Sequence, residues 1–322
     1  MAGVDKNFIT NSNISSVNLS EYLVEETPAT VYYIPNFVSI KEEEQILEMV
    51  YRVPKPKWTQ LSNRRLQNWG GIPHPNGMLV EIIPEWLSFY LDKVWTLGVF
   101  EEMCRPNHVL INEYLPGQGI MPHFDGPLFY PTITTLSLGS HTVLDFYIPR
   151  LEDSGEPQDS KMSKLLSLLV EPRSLLILKD DMYSKYLHGI EETDVDMLIP
   201  STITNWKTCE QFKNEYQDKT TDVGVKSSHS SANPNQVLGN KEHSDHFEDQ
   251  EFNLPQSENY GTEGNSVKKV KIYDSGIMNV KDTLGIKLDD KKAMQTVQRK
   301  TRVSLTMRHV PKTSKLKIKL GR

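Results

Sequence analysis

The chain has 322 residues and only two cysteines, Cys104 and Cys209, far apart in sequence. That excludes a disulfide framework, and a reducing compartment is the expected home. Long apolar runs are also missing. The best stretch, LLSLLVEPRSLLIL, is interrupted by Glu171, Pro172 and Arg173, so no membrane span is expected. The polar start, MAGVDKNFITNSNISS, lacks the apolar core of a secretory signal. Positive charge is in deficit, since 36 Lys and Arg stand against 42 Asp and Glu, for a formal net charge of −6. A uniformly basic, histone-like binder of nucleic acid is thereby disfavoured, although a local basic surface is not. Hydrophobic residues make up 37% of the chain, low for a sequence that packs throughout, so part of its length is expected to stay outside any core. Internal repeats are absent. A monomer without membrane contact, resident in cytoplasm and nucleus, is the expected state.

What the chain does contain is patterned. Residues 1–28 form a polar N-terminal segment. Order is expected from about Ala29, where TVYYIPNFVS reads as a strand. Ser39 and Glu42 then form a capping box ahead of a helix with Ile46, Leu47 and Val50 on one face. EWLSFYLDKVWTL reads as a second helix. From Asn107 the pattern changes to short strands separated by Pro, Gly, Asp and Ser, which suggests an antiparallel sandwich or barrel. The fold class is therefore mainly β with flanking helices.

That pattern stops near 207. Between 217 and 266 only nine of 50 residues are apolar or aromatic, too few to offset the entropy of ordering. Residues 207–297 are read as a mostly disordered insertion, because a further strand, TRVSLTMRHV, follows it. One domain spanning 29–311 is thus interrupted by 207–297 and ends in a basic tail, 312–322.

Candidate site residues start with HFDG. In a strand, residues i and i+2 share a face, so His123 and Asp125 can present an imidazole nitrogen and a carboxylate oxygen to one ion. A further histidine would complete a two-His-one-carboxylate set, which leaves positions open on an octahedral iron. His188, in YLHGI, is the candidate, although alone it better suits a packed or hydrogen-bonded core histidine. In TRVSLTMRHV, Val303, Leu305 and Met307 alternate with Arg302, Ser304, Thr306 and Arg308. The two arginines are six residues apart, so they face the same way, roughly 20 Å apart along a strand. A guanidinium pointing into a barrel needs an anion, and it grips a carboxylate as a two-pronged fork. The alternative is an edge strand with its polar face in water. Asn112 and Tyr114, in NEY, share a face by the same rule.

In this order, Asn112-x-Tyr114, His123-x-Asp125, His188 and Arg302-x5-Arg308 resemble the AlkB family of iron(II)- and 2-oxoglutarate-dependent dioxygenases. The flanking text, including PKPKWTQLSNRRLQNWGGIPHP and LPGQGIMPHFDGPLFYPTITTLSLGSHTVLDFY, is closest to the alkB homologue six branch of that family. The resemblance covers about 30–200 and 299–311. It implies a double-stranded β-helix, or jelly roll. It also implies iron(II) held by His123, Asp125 and His188, with 2-oxoglutarate and O₂ as co-substrates. Arg302 and Tyr114 would take the distal carboxylate, and Asn112 and Arg308 would lie nearer the metal. Ser304 stands where many relatives carry Asn. The implied reaction oxidises a C–H bond and releases succinate and CO₂; with an N-methyl substrate, formaldehyde is lost.

The substrate class is less sharply marked. Alkylated DNA or RNA is the partner the resemblance implies, while protein or small-molecule substrates stay open. Trp58, Arg64, Arg65 and Trp69 have the composition of a stacking and phosphate-binding lid, or the two tryptophans belong to the core. His141 is a further candidate for the pocket. From Arg299 to Arg322 the chain carries nine Lys or Arg and no acid, which can steer phosphates. His74 and His108 are read as structural, and the H-x-x-H of His243 and His246 has no further ligand near it. A ligand-binding jelly roll without turnover is the alternative class; the arginine pair argues against it.

One expectation follows from composition. Replacing residues 217–266 by a short Gly/Ser linker should leave the melting temperature and succinate formation close to those of the full chain, because loop length adds little closure entropy. A large fall in melting temperature would show that the segment packs on the domain.

Overall fold

The alternation in TRVSLTMRHV is resolved by its place in a sheet. In the computed structural model, which describes residues 17–149, 162–212 and 294–314, strand β14 (Arg302–Arg308) is central and every one of its residues is buried. A seven-stranded antiparallel sheet runs β1 (Val31–Ile34), β10 (Leu175–Lys179), β7 (Thr132–Leu138), β14, β5 (His108–Tyr114), β3 (Arg64–Trp69) and β2 (Thr59–Leu61). Facing it is a four-stranded antiparallel sheet in the order β6 (Ile120–His123), β11 (Leu187–Ile190), β8 (Thr142–Tyr147) and β9 (Lys164–Val170). Small pairs are made by β12 (Val195–Leu198) with β13 (Gln295–Gln298), and by β4 (Met78–Leu79) with β15 (Thr313–Ser314). The architecture is the jelly roll, mostly strands with few helices.

Two cores follow from strand alternation. The outer face of the large sheet carries Val109, Ile111, Leu136, Leu138, Val303, Leu305 and Met307. Helices α1 (Ile40–Arg52) and α2 (Glu85–Trp95) cover it with Ile46, Val50, Leu87, Leu91 and Val94. Helix α1 begins as its sequence dictates: Ser39 Oγ accepts from the Glu42 N–H at 3.2 Å, and the Glu42 carboxylate accepts from the Ser39 N–H at 2.8 Å. The second core lies between the sheets, where Val31, Tyr33, Leu176 and Leu178 meet Phe146, Leu168 and Val170. The inner face of the large sheet beyond that core carries the polar residues of β5 and β14.

By its contacts the chain divides into two units, Met1–Asp222 with Ile286–Arg322, and Val223–Gly285; the second lies outside the described residues. Four expected boundaries need correction. The insertion does not begin at 207. Cys209 and Phe212 are buried in the second core, and the buried Glu171 carboxylate accepts the N–H groups of Glu210, Gln211 and Phe212 at 3.1, 2.8 and 3.2 Å. Nor does it run to 297, since Gln295–Gln298 pairs with β12. At the start, a short 3-10 helix (Leu19–Tyr22) and buried Val24 precede the expected Ala29. Leu19 and Tyr22 pack on the first core and Val24 on the second, an apolar contribution too sparse to show as periodicity. Finally, Thr313 and Ser314 belong to a strand pair rather than to a free tail. Residues 217–266 lie outside the described residues.

The Glu171 knot generates a prediction. Its carboxylate also accepts from the Tyr33 hydroxyl at 3.1 Å. Glu171→Ala strips a counter-group from four buried or half-buried donors, so a loss of about 3 kcal/mol or more is expected, with Glu171→Gln intermediate. Chemical denaturation of both variants checks this; a wild-type midpoint for Glu171→Ala would show that water replaces the carboxylate.

Candidate functional site

Because β5 and β14 are antiparallel neighbours, their alternation brings four pairs to one face. Arg302 lies opposite Tyr114, Ser304 opposite Asn112, Thr306 opposite Leu110 and Arg308 opposite His108. All eight line a cavity of about 290 Å³ between the sheets. The far wall is supplied by the small sheet, through His123, Leu144, His188 and Ile190.

His123 and His188 are directly paired in register across β6 and β11, with ring centroids 4.6 Å apart. Gly189 makes this approach possible. A Cβ there would lie 2.9 Å from the Pro122 nitrogen and 3.0 Å from the Ile120 oxygen, both rigid backbone. Asp125, just past the end of β6, brings its Oδ2 to 3.6 Å from His188 Nε2. His123 Nδ1 lies 2.8 Å from the Met121 carbonyl; a carbonyl only accepts, so Nδ1 carries the proton and the Nε2 lone pair is free. Burial, aided by the Arg308 charge, pushes His188 down to about 4 despite Asp125, so its ring is neutral near pH 7. Two imidazoles and a carboxylate are the donor set that suits a divalent iron. Among the described residues no group of three such side chains is already closed enough to hold an ion, and one Asp125 oxygen meets Arg308.

The cavity wall is also cationic. Arg302 is 6% exposed and its Nη2 donates to Ser137 Oγ at 2.8 Å. Among the described residues its buried Nε has no partner and no carboxylate pairs with it. Burial pulls the guanidinium down to about 10, which still leaves it charged. The Tyr114 ring lies 5.7 Å away, and burial raises its hydroxyl above the ordinary phenol value. Arg64 donates from Nε to Asn112 Oδ1 at 3.2 Å. A buried cation with free donors is a receptor for an anion that ends in a carboxylate, so the fit to a dicarboxylate co-substrate is good. The trio and the arginine line one cavity.

Of the sequence candidates, His123, Asp125, His188, Asn112, Tyr114, Arg302, Ser304, Arg308 and Arg64 are thus brought together. Four others are not. Strand β3 alternates, so Arg64 and Asn68 face the cavity while Arg65 and Trp69 face away. Arg65 donates to Glu113 at 2.6 and 2.8 Å and covers Trp58 at 4.2 Å. Trp58 and Trp69 pack on the first core, and Trp69 Nε1 donates to Gln67. A stacking lid at the cavity is therefore not what these residues form. His141 is buried outside the cavity, its Nε2 3.1 Å from Asp196, which Arg299 also grips at 2.7 Å. That cluster ties β12 to the approach to β14. Sequence reading missed His108, Asn68 and Ser137. Counting back from Asn112 in steps of two reaches His108 and could have found it; Ser137 required the β7–β14 register.

No family model matches the chain. ALKBH6 of Danio rerio, a probable RNA/DNA demethylase, is 58% identical over 183 residues, covering 56% of this chain and 78% of that protein. The tRNA (carboxymethyluridine(34)-5-O)-methyltransferase alkbh8 of Xenopus tropicalis is 26% identical over 201 residues, 58% of this chain and 29% of its own length. The solved structure of OsALKBH1 aligns with a TM-score of 0.38 at 15% identity, over 55% of this chain and 89% of that one.

The lone guanidinium makes the sharpest test of the site. Arg302→Lys should weaken 2-oxoglutarate binding about ten- to hundredfold, because an ammonium replaces the two parallel hydrogen bonds of a fork with a point donor. Arg302→Ala should be worse, with iron affinity in the absence of co-substrate unchanged in both. Anaerobic titration of iron-loaded protein measures this, and equal affinity in all three proteins would place the anion elsewhere.

Proposed function

Because the chain belongs to the AlkB family of iron(II)- and 2-oxoglutarate-dependent oxygenases, we propose that it removes N-linked methyl groups from nucleic acid by oxidising their C–H bonds. Iron with O₂ and 2-oxoglutarate supplies the oxidising power when bound, and succinate and CO₂ are released. Once hydroxylated, an N-methyl group leaves as formaldehyde. His123, Asp125 and His188 would hold the metal through Nε2 atoms and a carboxylate oxygen. Two imidazole nitrogens and a single carboxylate would leave a divalent metal with a net positive charge that accepts a further anion. Arg302, with Tyr114 and Ser137 beside it, would orient the distal carboxylate of the co-substrate. Asn112, Ser304 and Arg308 line the stretch between that carboxylate and the trio. Leu144, Val170, Leu176 and Leu178 close the cavity with apolar wall, which excludes water and strengthens the polar contacts inside it.

One observation carries the co-substrate reading: the buried, acid-free Arg302 on the same strand face as Arg308, whose guanidinium meets Asp125 of the trio. Support for nucleic acid comes from the relatives, one a probable RNA/DNA demethylase and another acting on tRNA, and from Arg64 at the cavity. The test is succinate formation with iron and ascorbate, together with mass spectrometry of nucleic-acid and protein pools before and after treatment. Loss of methylated nucleosides with matching formaldehyde is expected. A change confined to the protein pool would redirect the substrate class.

The metal assignment carries its own prediction. His123→Ala, Asp125→Ala and His188→Ala should each abolish iron binding by calorimetry while the far-ultraviolet circular dichroism stays native. Wild-type iron affinity in His188→Ala would mean that another group is the third ligand.

A further inference from the structure

His108 was read from sequence as structural, and its surroundings argue otherwise. It is 1% exposed, yet among the described residues neither Nδ1 nor Nε2 has a hydrogen-bond partner. Native interiors seldom leave such atoms unpaired. The ring lines the same cavity as the trio and Arg308. It sits in register with Arg308, and Phe129 lies 5.8 Å away, centroid to centroid. Burial, reinforced by the Arg308 charge, pushes His108 down to about 3.

The chemistry of a neutral imidazole limits what can satisfy it. Whichever tautomer is present, one nitrogen donates and the other accepts. The accepting nitrogen needs a ligand that brings a hydrogen-bond donor. An ionised dicarboxylate has only acceptors, so the co-substrate cannot complete this residue. A ring bearing an amino or N–H group can. The surroundings suit a flat ring as well, since Phe129 lies beside His108 and Phe124 lines the same cavity. Asn68, on the neighbouring strand with Leu110 as its register partner, adds an amide that both donates and accepts.

We propose that His108, with Asn68 beside it, is a substrate-reading residue that hydrogen-bonds the polar edge of a nitrogen heterocycle carrying an amino or N–H donor. This rests on the nucleic-acid reading above and deepens it: the cavity would select methylated bases that keep such a donor. His108 would touch the substrate ring, leaving the anion to the arginines.

The test uses the full chain under anaerobic conditions with iron and 2-oxoglutarate present, so that nothing turns over. Two short single-stranded oligonucleotides serve as probes, identical except at one position. One carries a cytosine methylated on a ring nitrogen, which keeps its exocyclic amino group; the other carries an abasic site. Fluorescence anisotropy gives both affinities for wild type, His108→Phe, His108→Leu and His108→Gln, with thermal melts to establish folding. Two apolar variants are included so that failure of one to fold leaves the other. Wild type should prefer the methylated base about tenfold, as expected for one buried hydrogen bond. The apolar variants should lose that preference while binding the abasic strand like wild type, and His108→Gln should retain part of it. A merely structural histidine would lower both affinities together, and that result overturns the proposal. So does a preference that survives in the apolar variants, which leaves the nucleic-acid reading intact. If wild type itself shows no preference, the nucleic-acid reading fails and this inference fails with it.

Discussion

Burying two guanidinium groups on a central strand is the constraint around which the rest of the molecule is arranged. Transfer of an unpaired cation from water into a protein interior is severely unfavourable, so Arg302 and Arg308 must each be given something. Arg308 receives Asp125. Among the described residues Arg302 receives a neutral hydroxyl from Ser137 and the Tyr114 ring but no carboxylate, and the balance has to come from a ligand. The residues that shape this part of the cavity follow from that need. Small hydroxyls at Ser304 and Ser137 leave room, and Tyr114 and Asn112 supply polar contacts without a competing negative charge. A carboxylate placed beside Arg302 would relieve the strain and remove the reason to bind an anion there.

The same strand also carries the fold. Its odd residues, Val303, Leu305 and Met307, are fully buried against the two helices, while its even residues face the cavity. One strand thus joins a hydrophobic core to a polar site, and a one-residue slip in register would exchange the two. Neighbouring strands hold that register on both sides, β5 through seven paired positions and β7 through six. The small sheet meets different demands. Its role is to bring β6 and β11 close enough for His123 to meet His188, which requires a glycine at 189. Stability at the other end comes from Glu171, whose carboxylate gathers the chain at residues 210–212 onto the second core.

Two clusters that look functional in sequence serve the scaffold instead. Trp58, Arg65 and Glu113 interlock on the outer face, and Arg65 is charge-paired rather than free for phosphate. His141, Asp196 and Arg299 form a buried polar knot where the small pair β12–β13 meets the start of β14. In both, basic and aromatic residues satisfy one another. Charge composition alone cannot distinguish a satisfied cluster from a receptive one. In the cavity, by contrast, the Arg302 guanidinium has no carboxylate partner among the described residues, and neither ring nitrogen of His108 has a hydrogen-bond partner there.

Much of this was legible in the sequence. Strand periodicity is local: with a period of two, HFDG, NEY and TRVSLTMRHV state which side chains share a face, whatever the rest of the chain does. The capping box at Ser39 is likewise local, and it forms as read. The joint order of the motifs pointed to the jelly roll and to the co-substrate. Tertiary structure decided everything that depends on which strands become neighbours. It made β14 central rather than an edge, turned Arg64 inward and Arg65 outward, set Ser137 against Arg302, and moved His141 out of the cavity and His108 into it. It also kept residues 207–212 and 295–298 in the domain, because Glu171 and β12 lie far away in sequence and leave no local trace. Periodicity specifies the face a residue takes relative to its own strand. Only long-range pairing specifies what that face meets, since burial and unmet hydrogen bonds are properties of the assembled sheets.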